Sequence, residues 1–313
     1  MKILVGSTGF VGSNLIHQAR FDGVYHSTDI TEAYGTSPEL LVYAGVRAQK
    51  YIANTAPGQD LAHIEEAVEN IRRIAPRKLV LISTVDVFRE PVSVDEDSPV
   101  LTGGLHAYGR NRYQLESWVR ENCPGAMIVR LPALFGRCLR KNFIYDMIRI
   151  VPSMLKAELY EKLAAQDPVI REHFVPAANG FYRLDAKDSE LPELKDRFRG
   201  AGFTAMKFTD SRSVFQFYPL YRLWEDILTA DEAGLTLWHA ATEPVSAGEI
   251  CEYLTGERFT NELPGTPADY GYRTRYSGVF GGTDGYILTR EEVLSQLKDF
   301  YARNTAAAGG EII

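Results

Sequence analysis

A glycine turn, Gly6-Ser7-Thr8-Gly9-Phe10-Val11-Gly12, stands between the apolar run Ile3-Leu4-Val5 and the helix-like segment Asn14-Leu15-Ile16-His17-Gln18-Ala19. Strand, glycine turn and helix in that order constrain this chain more than any other feature, because they open a βα unit of a parallel sheet. Glycines at these intervals allow a tight turn, let backbone N–H groups approach an anion at the positive end of the helix dipole, and let the helix lie close to the strand. The spacing is G-x-x-G-x-x-G and not G-x-G-x-x-G, so the flanking strand and helix carry the reading. Gly6, Thr8, Gly9, Phe10, Val11 and Gly12 thereby become candidate contacts for a dinucleotide pyrophosphate.

Past the first helix, Val24-Tyr25-His26-Ser27 reads as a second strand, with Asp29 just beyond it, 17 positions after Gly12. An acidic residue there either takes the adenosine ribose 2′-OH of NAD or is a solvated turn aspartate. No arginine adjoins Asp29 to receive a 2′-phosphate, which favours NAD and leaves NADP open. The next apolar run, 40–45, ends in Ala44-Gly45, small enough for a cofactor to pass close to the backbone. Asp60 then reads as the N-cap of a helix with Leu61, Ile64, Val68 and Ile71 on one face. Residues 78–84 and 126–131 are continuous apolar strands of the kind buried on both faces of a parallel sheet. Such runs alternating with helices predict an α/β fold, a Rossmann-like doubly wound parallel sheet.

Residues 90–104, rich in Pro, Gly and acids and containing Asp95-Glu96-Asp97, read as a solvated loop. From 137 to 210 the pattern turns to helical segments broken by Pro152, Pro168, Pro176 and Pro192, which places a second lobe there. Phe215-Gln216-Phe217-Tyr218 reads as a strand returning to the first domain, followed by a helix through Leu223, Trp224 and Ile227, a strand over 235–240 and a helix over 245–254. Thr289 with Glu292 makes a capping box ahead of a last helix through Val293, Leu297 and Phe300, and the tail from 304 to 313 reads as frayed. The expected division is an NAD(P)-binding domain over 1–136, with returning elements near 211–242, and a smaller C-terminal substrate lobe over 137–313.

With 34 basic against 41 acidic residues and no basic stripe along a helix, nucleic acid is not an expected partner. No apolar run reaches membrane-spanning length, and Met1 leads straight into the first strand without room for a leader, so the cytoplasm is the expected compartment. Cys123, Cys138 and Cys251 lack C-x-x-C spacing and the histidines lack metal-ligand spacing, so reduced thiols and no metal are expected. His239, near a strand end, reads as a structural histidine.

Thr84 ends a buried strand, and Tyr108 follows 24 positions later at the start of a helix. A hydroxyl and a phenol meeting over the carboxyl edge of the sheet would bind and protonate a carbonyl oxygen while a nicotinamide delivers hydride, or run the reverse. The phenol must then be a better acid than a free tyrosine, and Arg112, one helical turn on, is placed to be the cation that favours phenolate.

Gly6 to Gly12, Ile82-Ser83-Thr84-Val85-Asp86-Val87-Phe88, His106-Ala107-Tyr108-Gly109-Arg110-Asn111-Arg112 and Arg130 to Gly136 together resemble the landmarks of the extended short-chain dehydrogenase/reductase family, of NAD-dependent epimerase/dehydratase type. The resemblance covers about the first 145 residues. It implies that Thr84 stands at the catalytic Ser/Thr and Tyr108 at the catalytic acid/base. Arg112 stands where the family has the lysine of Tyr-x-x-x-Lys, which binds the nicotinamide ribose and lowers the tyrosine pKa. Arginine keeps the charge but replaces a compact ammonium with a planar fork. Either Arg112 does the lysine's work, or another cation such as Lys50 assists, or the protein binds cofactor without turnover.

Thr84-Val85-Asp86 replaces the Thr-Asp-Glu of the family's dehydratases, and valine cannot protonate a leaving hydroxyl, so water elimination is not expected. Asp86 is then a base or substrate contact, or a capping aspartate. The stretch 130–143 resembles the dTDP-4-dehydrorhamnose reductase branch, which implies a substrate-site role for Asn142 and a diphosphate contact for Lys141; an ordinary helix start is the other reading. Arg212 and Gln216 are weaker diphosphate candidates by the same resemblance. The resemblance also implies a homodimer through the helices around Tyr108, where Leu115 and Trp118 serve either that bundle or the core. The expected function is that of an NAD(P)-dependent nucleotide-sugar epimerase or 4-keto-sugar reductase. The alternative is a non-catalytic dinucleotide-binding protein, a redox sensor or complex subunit, which Arg112 favours.

Overall fold

The computed structural model describes residues 1–177, 180–306 and 312–313, and divides into two compact units. The first comprises Met1–Arg137, Val214–Val245 and Asp269–Val293. Its strands β1 (Lys2–Val5), β2 (Gly23–Tyr25), β3 (Leu40–Tyr43), β4 (Leu79–Thr84), β5 (Met127–Leu131) and β6 (Leu237–His239) form one parallel sheet in the order β2-β1-β3-β4-β5-β6. The register sets Ile3 beside Leu41, Leu81 beside Ile128 and Trp238 beside Val129. Strand order reverses at β1, and such a switch point opens a crevice outside the carboxyl ends of the strands. Thr84 and Ala44 lie at that edge, as expected of a doubly wound sheet.

Four helices position the edge: α1 (Phe10–Ile16), α2 (Lys50–Thr55), α3 (Pro57–Ile74) and α4 (Ala107–Asn122). Pro57 opens α3, a position where its missing N–H costs nothing. Ile64, Ala67, Ile71 and Ile74 of α3 then share a core with Ile3, Leu41, Leu81, Leu115 and Val119. Asp60 is not the N-cap expected of it: the helix starts three residues earlier, and Asp60 lies buried inside it. Leu115 is likewise a core residue at 2% exposure, so it is not available to a dimer bundle, while Trp118 is partly buried against the same core.

The acidic stretch of the 90–104 loop is tied down and not solvated throughout. Glu96 accepts hydrogen bonds from His239 N (2.8 Å), Thr274 Oγ1 (2.6 Å) and Arg275 N (2.8 Å), so its carboxylate closes the carboxyl end of β6. The returning stretch near 215 forms short pieces: Phe217–Pro219 pairs in parallel with Ala133–Phe135 and does not join the main sheet. Residues 269–293 also belong to this unit, further along the chain than the expected returning elements.

The second unit comprises Cys138–Ser213, Ser246–Ala268 and Leu294–Ile313. It contains a three-stranded antiparallel sheet, Met154–Lys156, Phe181–Leu184 and Phe174–Pro176 in spatial order, which has no counterpart in the sequence reading. Its core gathers Leu155, Leu163, Ile170, Leu194 and Phe198, with the Tyr160 and Tyr182 rings stacked 3.7 Å apart. Pro168 and Pro192 do not break helices here but stand in their first turns. Ser246 and Glu249 make a reciprocal capping box for the helix Ala247–Thr255, and Thr289 with Glu292 caps the helix Arg290–Ala306 as expected.

The expected fraying of the tail is not seen at its described ends. Asn304 bonds both backbone groups of Ile313, and Ile312 is 3% exposed; residues 307–311 of that tail lie outside the described residues. All three cysteines are free thiols. Among the described residues no helix is long and apolar enough to cross a membrane.

Candidate active site

The glycine turn is required by contact. Gly6 has φ +93°, and a Cβ there would collide with the Ala44 carbonyl and the Gly45 nitrogen. A Cβ on Gly12 would strike the Gly6 carbonyl oxygen. Gly6 N and Ser7 N both donate to Tyr25 O (2.8 and 3.2 Å), which ties the turn to the end of β2. Thr8 and Gly9 are exposed, with Phe10 and Val11 partly so in the first turn of α1. A helix's first turn has no intrahelical acceptors for its N–H groups, and the three glycines put no side chain of their own beside them. These residues fit the pyrophosphate of a dinucleotide. Asp29 lies four residues past β2, where its Oδ1 accepts from His26 N (2.7 Å) and its Oδ2 pairs with His26 Nε2 (3.3 Å).

At the carboxyl edge, Thr84 Oγ1 accepts from Asp86 N (3.2 Å) and caps the short turn that follows β4. That turn seats directly on α4: Asp86 O occupies the space that a side chain at Gly109 would need. The first turn of α4 is held on two other sides. His106 Nδ1 accepts from Gly109 N (3.0 Å), and Asn54 Oδ1 of α2 accepts from Tyr108 N (3.0 Å). Burial and the nearby Lys50 charge lower the His106 pKa, so the imidazole is neutral with its proton on Nε2.

Tyr108 is 7% exposed. Burial raises its pKa; Arg112 and Lys50 pull the other way without prevailing, against the opposing charges of Asp86 and Asp60. Arg112 thus acts on the phenol in the direction expected of it, and burial outweighs it. The Arg112 guanidinium carbon lies 4.0 Å from the Tyr108 ring centroid, while its N–H groups go to Asp60 Oδ2 and the Arg47 carbonyl. A planar fork with both ends engaged holds the ring in place.

A second cation does reach the site. Lys50 Nζ donates to Asp86 Oδ1 (2.8 Å) and to Tyr270 Oη (3.3 Å), and Tyr270 Oη donates to the same Oδ1 (2.9 Å). Burial alone would lower the Lys50 pKa, yet the Asp86 and Tyr270 partners raise it, and burial with the Asp86 charge pushes Tyr270 up to about 12. Tyr270, Asn54 and Asp60 are the site residues that sequence reasoning missed or misassigned. Of the three, Tyr270 alone lies in a segment that the sequence sets apart, a stretch rich in Gly, Thr and Tyr with little periodicity.

Behind the edge, Arg130, Glu116 and His239 form a buried network. Arg130 Nη2 pairs with Glu116 Oε2 (2.6 Å), Ser83 Oγ donates to Glu116 Oε1 (2.6 Å), and His239 contacts Arg130 Nη1 (3.2 Å) and the Arg273 carbonyl (2.9 Å). His239 is thus the structural histidine expected.

Asn142 and Arg212 belong to the second unit. Asn142, at φ +114°, caps the helix Phe143–Arg149 by accepting from Tyr145 N (3.1 Å). Arg212 binds both oxygens of Asp210 (3.0 and 2.8 Å) and Glu262 (3.1 Å), so its charge is already matched and it is not the open anion contact expected. Gln216 is 1% exposed and braces Thr242 O and Tyr272, a structural role in place of the expected diphosphate contact.

Residues 1–161 match the family model described as the RmlD substrate binding domain. No curated protein matches the sequence. Among solved structures, a dTDP-4-dehydrorhamnose reductase from Yersinia enterocolitica aligns with a TM-score of 0.62 at 14% identity, covering 97% of this chain and 99% of that one. The same enzyme from Bacillus anthracis, in complex with NADP, gives 0.60 at 15% identity over 96% and 97%. A UDP-glucuronic acid 4-epimerase variant from Bacillus cereus, bound to a UDP-sugar and NAD, gives 0.57 at 15% identity over 98% and 99%. At these identities the likeness is one of fold.

Proposed function

The chain belongs to the RmlD substrate binding domain family, and on that premise we propose that it is an NAD(P)-dependent enzyme acting on a nucleotide sugar, by 4-keto reduction or by epimerisation. The observation that supports this reading is the seating of the Thr84–Asp86 turn on the first turn of α4, where Tyr108 stands, at the edge of the sheet that also carries the glycine turn. Gly6, Thr8, Gly9, Phe10, Val11, Gly12 and Ala44 would hold the dinucleotide, with Asp29 at the adenosine ribose. When bound, it supplies hydride transfer at a sugar carbon.

Tyr108 gives a proton to a sugar oxygen or takes one from it, and Thr84 donates a hydrogen bond to the same oxygen. Burial raises the Tyr108 pKa, and the protonated phenol is the form that donates to a carbonyl oxygen. Arg112, stacked on the ring, fixes its direction. Asn142 and Lys141, which belong to the second unit, are the further substrate-contact candidates of this reading.

The test is turnover of NADH or NADPH with 4-keto nucleotide sugars. Tyr108→Phe should lower kcat by about 100-fold or more, whereas equal rates in both proteins would refute the assignment.

A second reading, a dinucleotide-binding protein without turnover, is favoured by the engagement of Arg112 with Asp60 and Arg47. Large activation by Arg112→Lys would support a decayed site, and loss of activity would support a working one.

A further inference from the structure

Lys50, Asp86 and Tyr270 come from the start of α2, the turn after β4 and the 269–293 segment, and they converge on one oxygen atom. Both donors use Asp86 Oδ1; Oδ2 has no hydrogen-bond partner among the described residues. The Asp86 side chain is 18% exposed and that of Lys50 43%, so the group borders solvent and is not sealed in the core. A carboxylate offers about four acceptor positions. An ion pair that serves only the fold has no need of a second donor brought 184 residues along the chain to the same oxygen. Fixing Oδ1 from two sides fixes the carboxylate plane and presents Oδ2. The backbone nitrogen of Asp86 is bonded to Thr84 Oγ1, and its carbonyl lies against Gly109, so the residue that carries this oxygen adjoins the proposed catalytic pair.

We propose that Asp86 Oδ2 accepts a hydrogen bond from a ring hydroxyl of the sugar, and that Lys50 and Tyr270 are positioning residues that hold the carboxylate for it, so that the site selects a neutral hexose over a hexuronate. This inference rests on the nucleotide-sugar reading above. A hydroxyl brings the proton that Oδ2 lacks. A uronate carboxylate brings a like charge and no proton, and the Lys50 charge is already matched by Asp86.

The test is calorimetric titration of the full chain with UDP, dTDP, UDP-glucose, dTDP-glucose and UDP-glucuronate. The wild type should bind a hexose conjugate more tightly than the bare diphosphate and more tightly than the glucuronate. Asp86→Asn should weaken the hexose conjugate by about tenfold while leaving the bare diphosphate unchanged. Tyr270→Phe and Lys50→Met should move the same selectivity in the same direction by about threefold, with Lys50→Arg restoring it. Equal losses for hexose and bare diphosphate, no loss in Asp86→Asn, or a wild-type preference for glucuronate would overturn the proposal. A wild type that binds none of the five overturns this inference, and one that binds no GDP-sugar either overturns the nucleotide-sugar reading with it.

Discussion

Arg112 lies over the ring of Tyr108 at 4.0 Å and is bonded at its far side to Asp60, so one guanidinium fixes a tyrosine and at the same time ties α4 to α3. Arg112 and Asp60 are 4% and 5% exposed, and Asn111 Nδ2 shares the Asp60 carboxylate at 2.8 Å. Breaking a buried pair by removing one partner leaves the other charge without compensation, which is far costlier than the pair's own net contribution.

Asp60→Asn should therefore destabilise the protein by about 3–5 kcal/mol, read as a lower urea midpoint at unchanged slope. A cost below about 1 kcal/mol, the range of exposed pairs, would mean that Arg112 reaches water.

Gly12→Ala separates helix propensity from contact. In an open helix the change would stabilise by about 0.5–1 kcal/mol. Here the new methyl meets the Gly6 carbonyl, so a loss of about 1–3 kcal/mol is expected, together with loss of dinucleotide binding. Denaturant unfolding gives the sign directly.

The parallel sheet and the glycine turn were legible because buried strands and a strand-turn-helix junction leave local patterns, as in Leu79-Val80-Leu81 before Thr84. Asp60 was misread because an aspartate ahead of an apolar helical face looks the same in sequence whether it caps the helix or points into it. The contact of Tyr270 with Lys50 was not legible: the two are 220 residues apart, and nothing local records a long-range hydrogen bond. Glu96 was hidden by its acidic neighbours, since composition reports the average of a run and not the one member whose oxygens face buried backbone donors. Pro168 and Pro192 mark helix starts, a role that looks like a break until the following turn is seen.

His239 sets one pH dependence. Burial, followed by the Arg130 charge, lowers its pKa from 6.5 to about 3 in the folded chain. The unfolded chain binds the extra proton between those values, so this contribution to stability is complete above pH 6.5 and is lost as pH falls toward 3, at about 1.4 kcal/mol per pH unit. Urea midpoints at a series of pH values should show a flatter acid limb in His239→Gln than in the wild type. Parallel limbs would place the histidine charge elsewhere.

Asp146, in the helix Phe143–Arg149, works in the opposite direction. Burial raises its pKa from 3.8 to about 7, so the folded chain holds the extra proton between those values, and the stability present at low pH declines as pH rises through 7. Asp146→Asn should remove that decline and gain on the wild type more at pH 8 than at pH 4. A gain of equal size at both values would show that the carboxyl is ionised throughout.

Binding of the dinucleotide at the glycine turn is the claim on which the enzyme reading stands. Calorimetric titration of the purified chain with NAD, NADH, NADP and NADPH, repeated with UDP-, GDP- and dTDP-sugars present, tests it most directly. The account predicts saturable one-to-one binding of at least one dinucleotide, strengthened by a nucleotide sugar and absent in Gly12→Ala. No heat from any of the four in the wild type, or equal binding in Gly12→Ala, would contradict it.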